Sequence, residues 1–472
     1  MSVAANVLSL IGNTPIVELR SFDTGLCKLF VKLESHNPGG SIKDRIGRSM
    51  IEAAERAGKL QPGAVLVEAT AGNTGLGLAL VAAQKGYRLK LVIPDKMSQE
   101  KVFHLKALGA EVVMTRSDVG KGHPEYYQDM ALRIAEETPG AYYIDQFNNP
   151  ANPLAHETTT GPEIWEQMDH NVDAVVCGVG SGGTLTGLSR YFAKVAPELE
   201  MVLADPAGSV LVEYLKTGII GEAGSWVIEG IGEDFIPSIA DLSRVRAAYT
   251  ITDLESLTAA RSLLRNEGIL GGSSSGTLVA AAIRYCQEQT KAKRVVTFIC
   301  DSGNKYLSKM YNDYWMAEQG FRAGPKYGDL RDLIVRRYVD RAVISVTPDD
   351  AISAAYLRMR LYDISQLPVI QGNKVVGILD ESDLLLAVSD EDKSFKRSCR
   401  DFMSTELETI DRRASIPELL KVLKNGHVAI VTDDEGFHGL ITRVDVLNYL
   451  RRNQSSGAAI LPPSTSGIGA VE

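Results

Sequence analysis

The sequence is poor in cysteine, in clustered histidine and in long apolar runs. Its five cysteines, Cys27, Cys177, Cys286, Cys300 and Cys399, are scattered, odd in number, and form no Cys-x-x-Cys. That argues against a disulfide framework or a thiolate zinc site and fits a reducing cytoplasm. The seven histidines form no HExxH and no paired ligand spacing, so no metal site is expected. No stretch reaches about 18 uncharged apolar residues, which leaves no expected membrane span. The start, MSVAANVLSLIGNTP, has neither a basic segment nor a long apolar one, so no secretory signal is read. There is no basic block either: 50 Lys+Arg stand against 59 Asp+Glu, a net charge of −9. Nucleic acid is therefore not an expected partner.

What is present is an ordinary globular balance, 44% hydrophobic and 23% charged, in 472 residues. At roughly 150 residues per domain this length suggests about three units. From about Val65 to Asp301, short β-branched runs alternate with amphipathic segments such as Asn73–Lys85. Continuous apolar strands with helices between them imply parallel sheets covered on both faces, an α/β body over residues 1–317. The Gly- and charge-rich stretch after Glu318 reads as a linker over 318–334. Two similar units follow, 335–389 and 390–452, with Gly377 and Gly439 spaced by 62 residues. Internal duplication explains this spacing. The Ser/Gly/Pro/Ala-rich residues 453–472 read as a flexible tail.

Three stretches carry chemistry. In Asn37-Pro-Gly-Gly-Ser-Ile-Lys-Asp-Arg45 a tight turn leads into a helix opening at Lys43. A lysine held there is a candidate Schiff-base nucleophile, or simply a lysine on a solvated first turn. Thr70-Ala-Gly-Asn-Thr-Gly-Leu-Gly77 follows a strand and offers helix N-terminal N–H groups to an anion; an ordinary capped turn is the alternative. Gly178-Val-Gly-Ser-Gly-Gly-Thr184 has the composition of a phosphate cradle. It also matches GxGxxG with Asp205 ending the next strand, so a nicotinamide-binding dehydrogenase is a rival. Gly272-Ser-Ser-Ser-Gly276 matches GxSxG around Ser274, but no strand directly precedes it, and only His427 and His438 follow. A hydrolase is not expected.

Taken in order, these motifs resemble those of fold-type II pyridoxal-phosphate enzymes, the tryptophan synthase β-subunit superfamily. Ile11-Gly-Asn-Thr-Pro15, GGSIKDR, AGNTG, the segment Asp145–His156, GSGGT and Glu229-Gly-Ile-Gly232 resemble its cysteine synthase and cystathionine β-synthase branch, over about residues 6–315. The resemblance implies two parallel-sheet subdomains and pyridoxal 5'-phosphate. It implies that Lys43 holds the cofactor covalently and acts as base and plausible acid. Asn73 would bind the 3-hydroxyl, and Gly180, Ser181, Gly182, Gly183 and Thr184 the phosphate. Ser302 would meet the pyridine nitrogen; a hydroxyl there favours elimination and addition over transamination. Thr70, Gly72, Thr74 and Gln146 would hold the substrate carboxylate, with Gly230 and Glu233 on the second-substrate side. Two positions depart from the pattern. Ala71 stands where the family usually has Ser, and Glu233 is an extra carboxylate, either receiving the ammonium of an amino-acid thiol or lying on a solvated rim.

The duplicated region resembles a tandem pair of CBS domains, a Bateman module. Its Gly-h-x-Thr/Ser-x-x-Asp signature, which contacts adenosyl ligands in that family, is matched by Gly439-Leu-Ile-Thr-Arg-Val-Asp445. Thr442 and Asp445 would then meet a regulatory ligand. In the first repeat Asp380 takes the Thr place and would repel phosphate, which tilts the ligand towards S-adenosylmethionine. A purely structural or dimerising module is the alternative. A catalytic part followed by this pair implies β-replacement: L-serine and L-homocysteine give cystathionine, with hydrogen sulfide released when cysteine is used. O-acetylserine stays open as first substrate. An idle adenosyl-ligand sensor is the rival of another class. No haem is expected, because no Cys or His precedes Cys27 and only ten residues precede Ile11. A homodimer or higher homo-oligomer is implied by the resemblance alone.

Overall fold

The computed structural model describes residues 3–70, 72–95, 97, 99–120, 122–322, 326–389, 394–424 and 428–456. Ala71, His427 and most of the expected tail lie outside the described residues. The chain divides into two compact units, Met1–Tyr311 and Asn312–Glu472.

The strands of the first unit are β1 (Ile16–Leu19), β2 (Lys28–Lys32), β3 (Val65–Ala69), β4 (Arg88–Pro94), β5 (Glu111–Thr115), β6 (Ala141–Tyr143), β7 (Ala174–Gly178), β8 (Glu200–Pro206), β9 (Val245–Ile251) and β10 (Arg294–Phe298). One sheet runs β5-β4-β3-β6, all parallel. The other runs β1-β2-β10-β7-β8-β9 and is parallel except where β1 pairs antiparallel with β2. β3 is buried at every position, as a strand covered on both faces must be. The reading of continuous apolar runs passed over β1, β2, β6 and β9. β6 has three residues, and β9 (VRAAYTI) is only half-buried, so neither forms such a run.

The chemistry-bearing stretches follow the carboxyl ends of β2, β3, β7 and β10, where open α/β sheets place their ligands. The helices Lys43–Arg56 and Asn73–Lys85 cross backbone to backbone. A Cβ on Gly47 would stand 2.7 Å from Gly77 C, and one on Gly77 2.6 Å from Lys43 O. Only glycine permits that approach.

The second unit contains β11 (Gln366–Gln371), β12 (Lys374–Asp380), β13 (Thr409–Asp411), β14 (Ala429–Asp433) and β15 (Gly436–Ile441). The duplication extends to an irregularity of register. In the β11–β12 hairpin Val369 faces Gly377 and Ile370 faces Val375, a bulge. In the β14–β15 hairpin Val431 faces Gly439 and Thr432 faces Phe437, the same bulge 62 positions on. The end of the stretch 318–334, read as a linker, packs onto a core. Leu330, Leu333 and Ile334 are buried with Ile410, Leu419 and Val431 in the core of the second repeat. Leu330, Leu333 and Ile334 alternate with charged residues in a Gly-rich segment, too short a pattern to signal a buried face.

Candidate active site

Lys43 opens the helix Lys43–Arg56, and a buried ionic network fixes that first turn. Arg45 reaches Glu34 through Nε and Nη2, both at 2.8 Å, and Glu163 through Nη1 and Nη2, both at 2.7 Å. Lys32, fully buried, donates to Thr14 O and Gln167 Oε1 and pairs with Glu163 at 2.9 Å. The Ile11–Pro15 motif buttresses the same turn: Thr14 Oγ1 donates to Glu34 over 2.6 Å and Gly12 N to Asn37 Oδ1 over 2.8 Å. Opposed full charges so deep in the fold persist because every member is paired. Lys43 Nζ has no hydrogen bond or ion pair among the described residues. Desolvation holds its pKa below the ordinary lysine range, against the pull of Cys300, Glu233 and Asp301. A lowered pKa raises the share of free amine, the form that acts as nucleophile and base.

The loop after β3 is built on Gly72, which has φ +119° and is pressed against the stem of Lys101. Gly72, as N-cap of the helix Asn73–Lys85, has no side chain to cap it, which leaves the N–H groups of Asn73 and Thr74 open to an anion. Thr70 Oγ1 accepts from Gly72 N and Gly75 N. Thr74 Oγ1 donates to Gln146 Oε1 over 2.7 Å, and Gln146 Nε2 donates to Ala69 O. The structure thus brings Thr70, Gly72, Thr74 and Gln146 together, with the Thr74 proton committed to Gln146.

The loop after β7 forms a cradle from which side chains are excluded. A Cβ on Gly180 would stand 2.7 Å from Gly230 O, one on Gly182 2.5 Å from Ala240 Cβ, and one on Gly183 1.9 Å from Asn152 Oδ1. Gly182, at φ +88°, opens the helix Gly183–Val195, again with no side-chain cap. The 151–160 segment, which ends in a π-helical turn at His156–Thr160, backs the cradle. Asn152 Nδ2 donates to Ser181 Oγ (2.9 Å), and His156 Nε2 lies 3.2 Å from Thr184 Oγ1. Burial and the nearby Lys43 and Arg45 hold His156 far below its ordinary pKa, so the ring is neutral. Sequence reasoning quoted this segment as a motif but gave Asn152 and His156 no role.

Asp205 is turned into its own loop, where burial pushes it to about 6 and its carboxylate accepts from Val212 N. That removes the ribose-binding acid a dinucleotide site needs. The GxSxG serines are used internally: Ser273 Oγ accepts from Glu229 N and Ser275 Oγ from Cys300 N.

Ser302 lies beside Gly40, its N–H donating to Gly40 O over 3.0 Å. Next to it, Asp301 accepts from Asn73 Nδ2 (2.8 Å) and Tyr306 OH (2.7 Å). Tyr306 OH also accepts from Lys101, which pairs at 2.6 Å with buried Glu229. Gly230 and Glu233 follow directly, and Glu233 Oε1 comes within 3.9 Å of where a Cβ on Gly180 would stand. Sequence reasoning missed Lys101, Lys305 and Lys309. Lys309 pairs with Glu229 at 2.8 Å, and no sequence pattern marks any of the three.

The residues fit pyridoxal phosphate: an unpaired desolvated lysine, an asparagine amide, a glycine cradle at an uncapped helix start, and a serine on the adjoining turn.

In the second unit Thr442 and Asp445 bond to each other: Thr442 N and Oγ1 donate to Asp445 Oδ2 at 2.7 and 2.6 Å. Asp380 and Asp383 repeat the arrangement. A cavity of about 680 Å³ opens instead among Tyr327, Arg331, Arg337, Asn373, Phe437 and His438.

Comparison with known proteins agrees with this geometry. The family described as pyridoxal-phosphate dependent enzyme matches residues 7–301, and the CBS domain matches 335–390 and 399–452. The cystathionine beta-synthase of Dictyostelium discoideum is 36% identical over 464 residues, 95% of this chain and 93% of that protein. That of Saccharomyces cerevisiae is 34% identical over 498, covering 94% and 97%. Two crystal structures align at TM-score 0.61 and 36% identity. One is a hydrogen sulfide-producing enzyme from Fusobacterium nucleatum (65% of this chain, 100% of that one), the other an O-acetylserine dependent cystathionine beta-synthase from Helicobacter pylori (66% and 99%). Matched by both family models, and by these relatives along nearly its whole length, the chain belongs to the pyridoxal-phosphate dependent enzymes, in the family of cystathionine beta-synthases, and carries a CBS-domain pair.

Proposed function

We propose that this chain catalyses β-replacement on L-serine, with L-homocysteine as the incoming thiol, to give cystathionine; cysteine in place of serine releases hydrogen sulfide. Pyridoxal phosphate, when bound, takes up the electrons left at Cα when a proton is removed. The protein does the rest. Helix N–H groups at Asn73 and the hydroxyl of Thr70 receive the substrate carboxylate, with Thr74 and Gln146 beside them. Lys43 Nζ, whose pKa burial lowers, accepts the Cα proton and passes it to the departing β-substituent. The cradle from Gly180 to Thr184 anchors the phosphate.

The observation that carries the choice of an amino-acid thiol is Glu233. Its carboxylate stands beside Gly180 and acts on the charge of Lys43, where an incoming ammonium could be received. Inorganic sulfide has no ammonium and gains nothing from it. The relatives named cystathionine beta-synthase support the same reading. A second reading, O-acetylserine as first substrate, is favoured by the Helicobacter pylori neighbour and by Ala71, which removes a hydroxyl from the substrate loop. In either reading we assign the CBS pair the regulatory part, with a ligand's ribose at Thr442 and Asp445, which bond to each other in the structure.

The deciding experiment follows cystathionine by mass spectrometry after mixing the loaded enzyme with serine or O-acetylserine and homocysteine. Cystathionine from serine supports the proposal. Turnover from O-acetylserine alone moves the first substrate to the second reading. Product with sulfide but none with homocysteine overturns the role given to Glu233.

A further inference from the structure

Lys305 lies on the turn Gly303–Tyr306 that Ser302 caps, and its side chain is buried. Its Nζ has three oxygen acceptors: Asn73 Oδ1 at 2.9 Å, and the carbonyls of Gly39 and Gly40, each at 3.2 Å. Three acceptors match the three hydrogens of an ammonium. The charged groups around it are Asp301, Lys101 and Asp44, and its charge also acts on His104. Burial lowers its pKa, while the two carboxylates oppose that shift.

The three acceptors belong to the segments assigned to the cofactor. Gly39 and Gly40 form the turn before Lys43, and Asn73 is the residue assigned to the 3-hydroxyl. Lys305 itself shares a turn with Ser302. Asn73 is thereby gripped at both ends of its amide, Oδ1 by Lys305 and Nδ2 by Asp301. This fixes which end is nitrogen, and it leaves one Nδ2 hydrogen free to point elsewhere.

We propose that Lys305 is a positioning residue for the cofactor. It orients the Asn73 amide so that the remaining N–H meets the cofactor's 3-oxygen, and its positive charge favours the anionic form of that oxygen. The inference rests on the pyridoxal phosphate reading of Lys43 and Asn73.

The test uses the full chain, stripped and reloaded with pyridoxal phosphate, as wild type, Lys305→Arg, Lys305→Gln and Lys305→Met. Two quantities are read: cofactor affinity, and the pH at which the visible band of the bound cofactor changes. Wild type and Lys305→Arg should agree within about threefold in affinity, because the cation is kept. Lys305→Met should bind at least about tenfold more weakly, and its band should change at a pH about one unit higher. Lys305→Gln reports the charge separately if the Met variant does not fold. A wild-type band with both neutral variants unchanged in affinity and in band overturns the proposal alone. Absence of any band in wild type overturns the cofactor reading and the proposal with it.

Discussion

Thr74 and Gln146, 72 residues apart in the chain, are joined by a 2.7 Å hydrogen bond in which the threonine hydroxyl is the donor. Gln146 cannot turn away, because its Nε2 is held by Ala69 O and its backbone N–H by Glu68. A substrate carboxylate arriving at Thr74 competes for that proton. Replacing Gln146 with Ala removes the competitor but also a wall of the pocket. Hydrogen bonds to charged groups contribute about 1.5–3 kcal/mol, so Gln146→Ala should raise KM for the amino acid by roughly 10- to 100-fold. Cofactor affinity should be unchanged within about threefold, since no cradle residue is touched. Steady-state kinetics together with a cofactor titration check both halves.

The second prediction concerns acid stability. Arg45, with Lys32, holds Glu163 at about 2, below the usual carboxylate range despite partial burial. A depressed folded-state pKa stabilises the fold above the unfolded value, near 4.5, and that contribution disappears as pH falls towards 2. Urea midpoints should therefore decline across this window, and the decline should be shallower in Glu163→Gln. At neutral pH that variant should lose about 1–3 kcal/mol, because Arg45 keeps Glu34. An identical acid limb in both proteins would count against the network.

The third prediction tests the cradle. A methyl on residue 183 would sit 1.9 Å from Asn152 Oδ1, and Asn152 is held by Gln146 O and Ser181 Oγ. Overpacking of this kind costs about 1–3 kcal/mol, so Gly183→Ala should weaken cofactor binding roughly 10- to 100-fold. Gly120, whose Cβ would meet nothing within 4 Å, provides the control, and Gly120→Ala should be silent. Absorbance titration with pyridoxal phosphate reads both.

The fourth concerns the C-terminal unit. Thr442 and Asp445 reciprocally bond across the start of the helix Arg443–Ser456, as residues of a helix cap do. Thr442→Val should destabilise that unit by about 1 kcal/mol with no ligand present. Calorimetry of the full chain, with and without S-adenosylmethionine, separates this cap function from ligand binding.

Much of the site was legible because its glycines and hydroxyls are contiguous in sequence. The roles proposed for Gly180–Thr184 and for the loop around Gly72 rest on successive backbone N–H groups, so neighbours in the chain are neighbours in the candidate site. Lys305 was not legible, since its three acceptors come from Gly39, Gly40 and Asn73, segments that meet only in the fold. Lys101 escaped notice because alone it is an ordinary charged residue, and Glu229 was read only as the start of the Glu229–Gly232 motif, not as the partner of Lys101. In the fold, the parallel strands were legible from uninterrupted apolar runs such as β3. The antiparallel β1–β2 pair and half-buried β9 were not. Leu330, Leu333 and Ile334 hid a buried face inside a segment whose charge suggested a tether.

The contact of Gly47 with Gly77 has a consequence for tolerance. The lysine-bearing helix and the asparagine-bearing helix touch through main-chain atoms, with no side chain interposed. Main chain has no rotamers with which to absorb an error. The gap between Lys43 and Asn73 is therefore gauged by peptide dimensions, as a machined shim sets a clearance. Even a single methyl at either glycine would widen that gauge, moving both residues although neither had been altered.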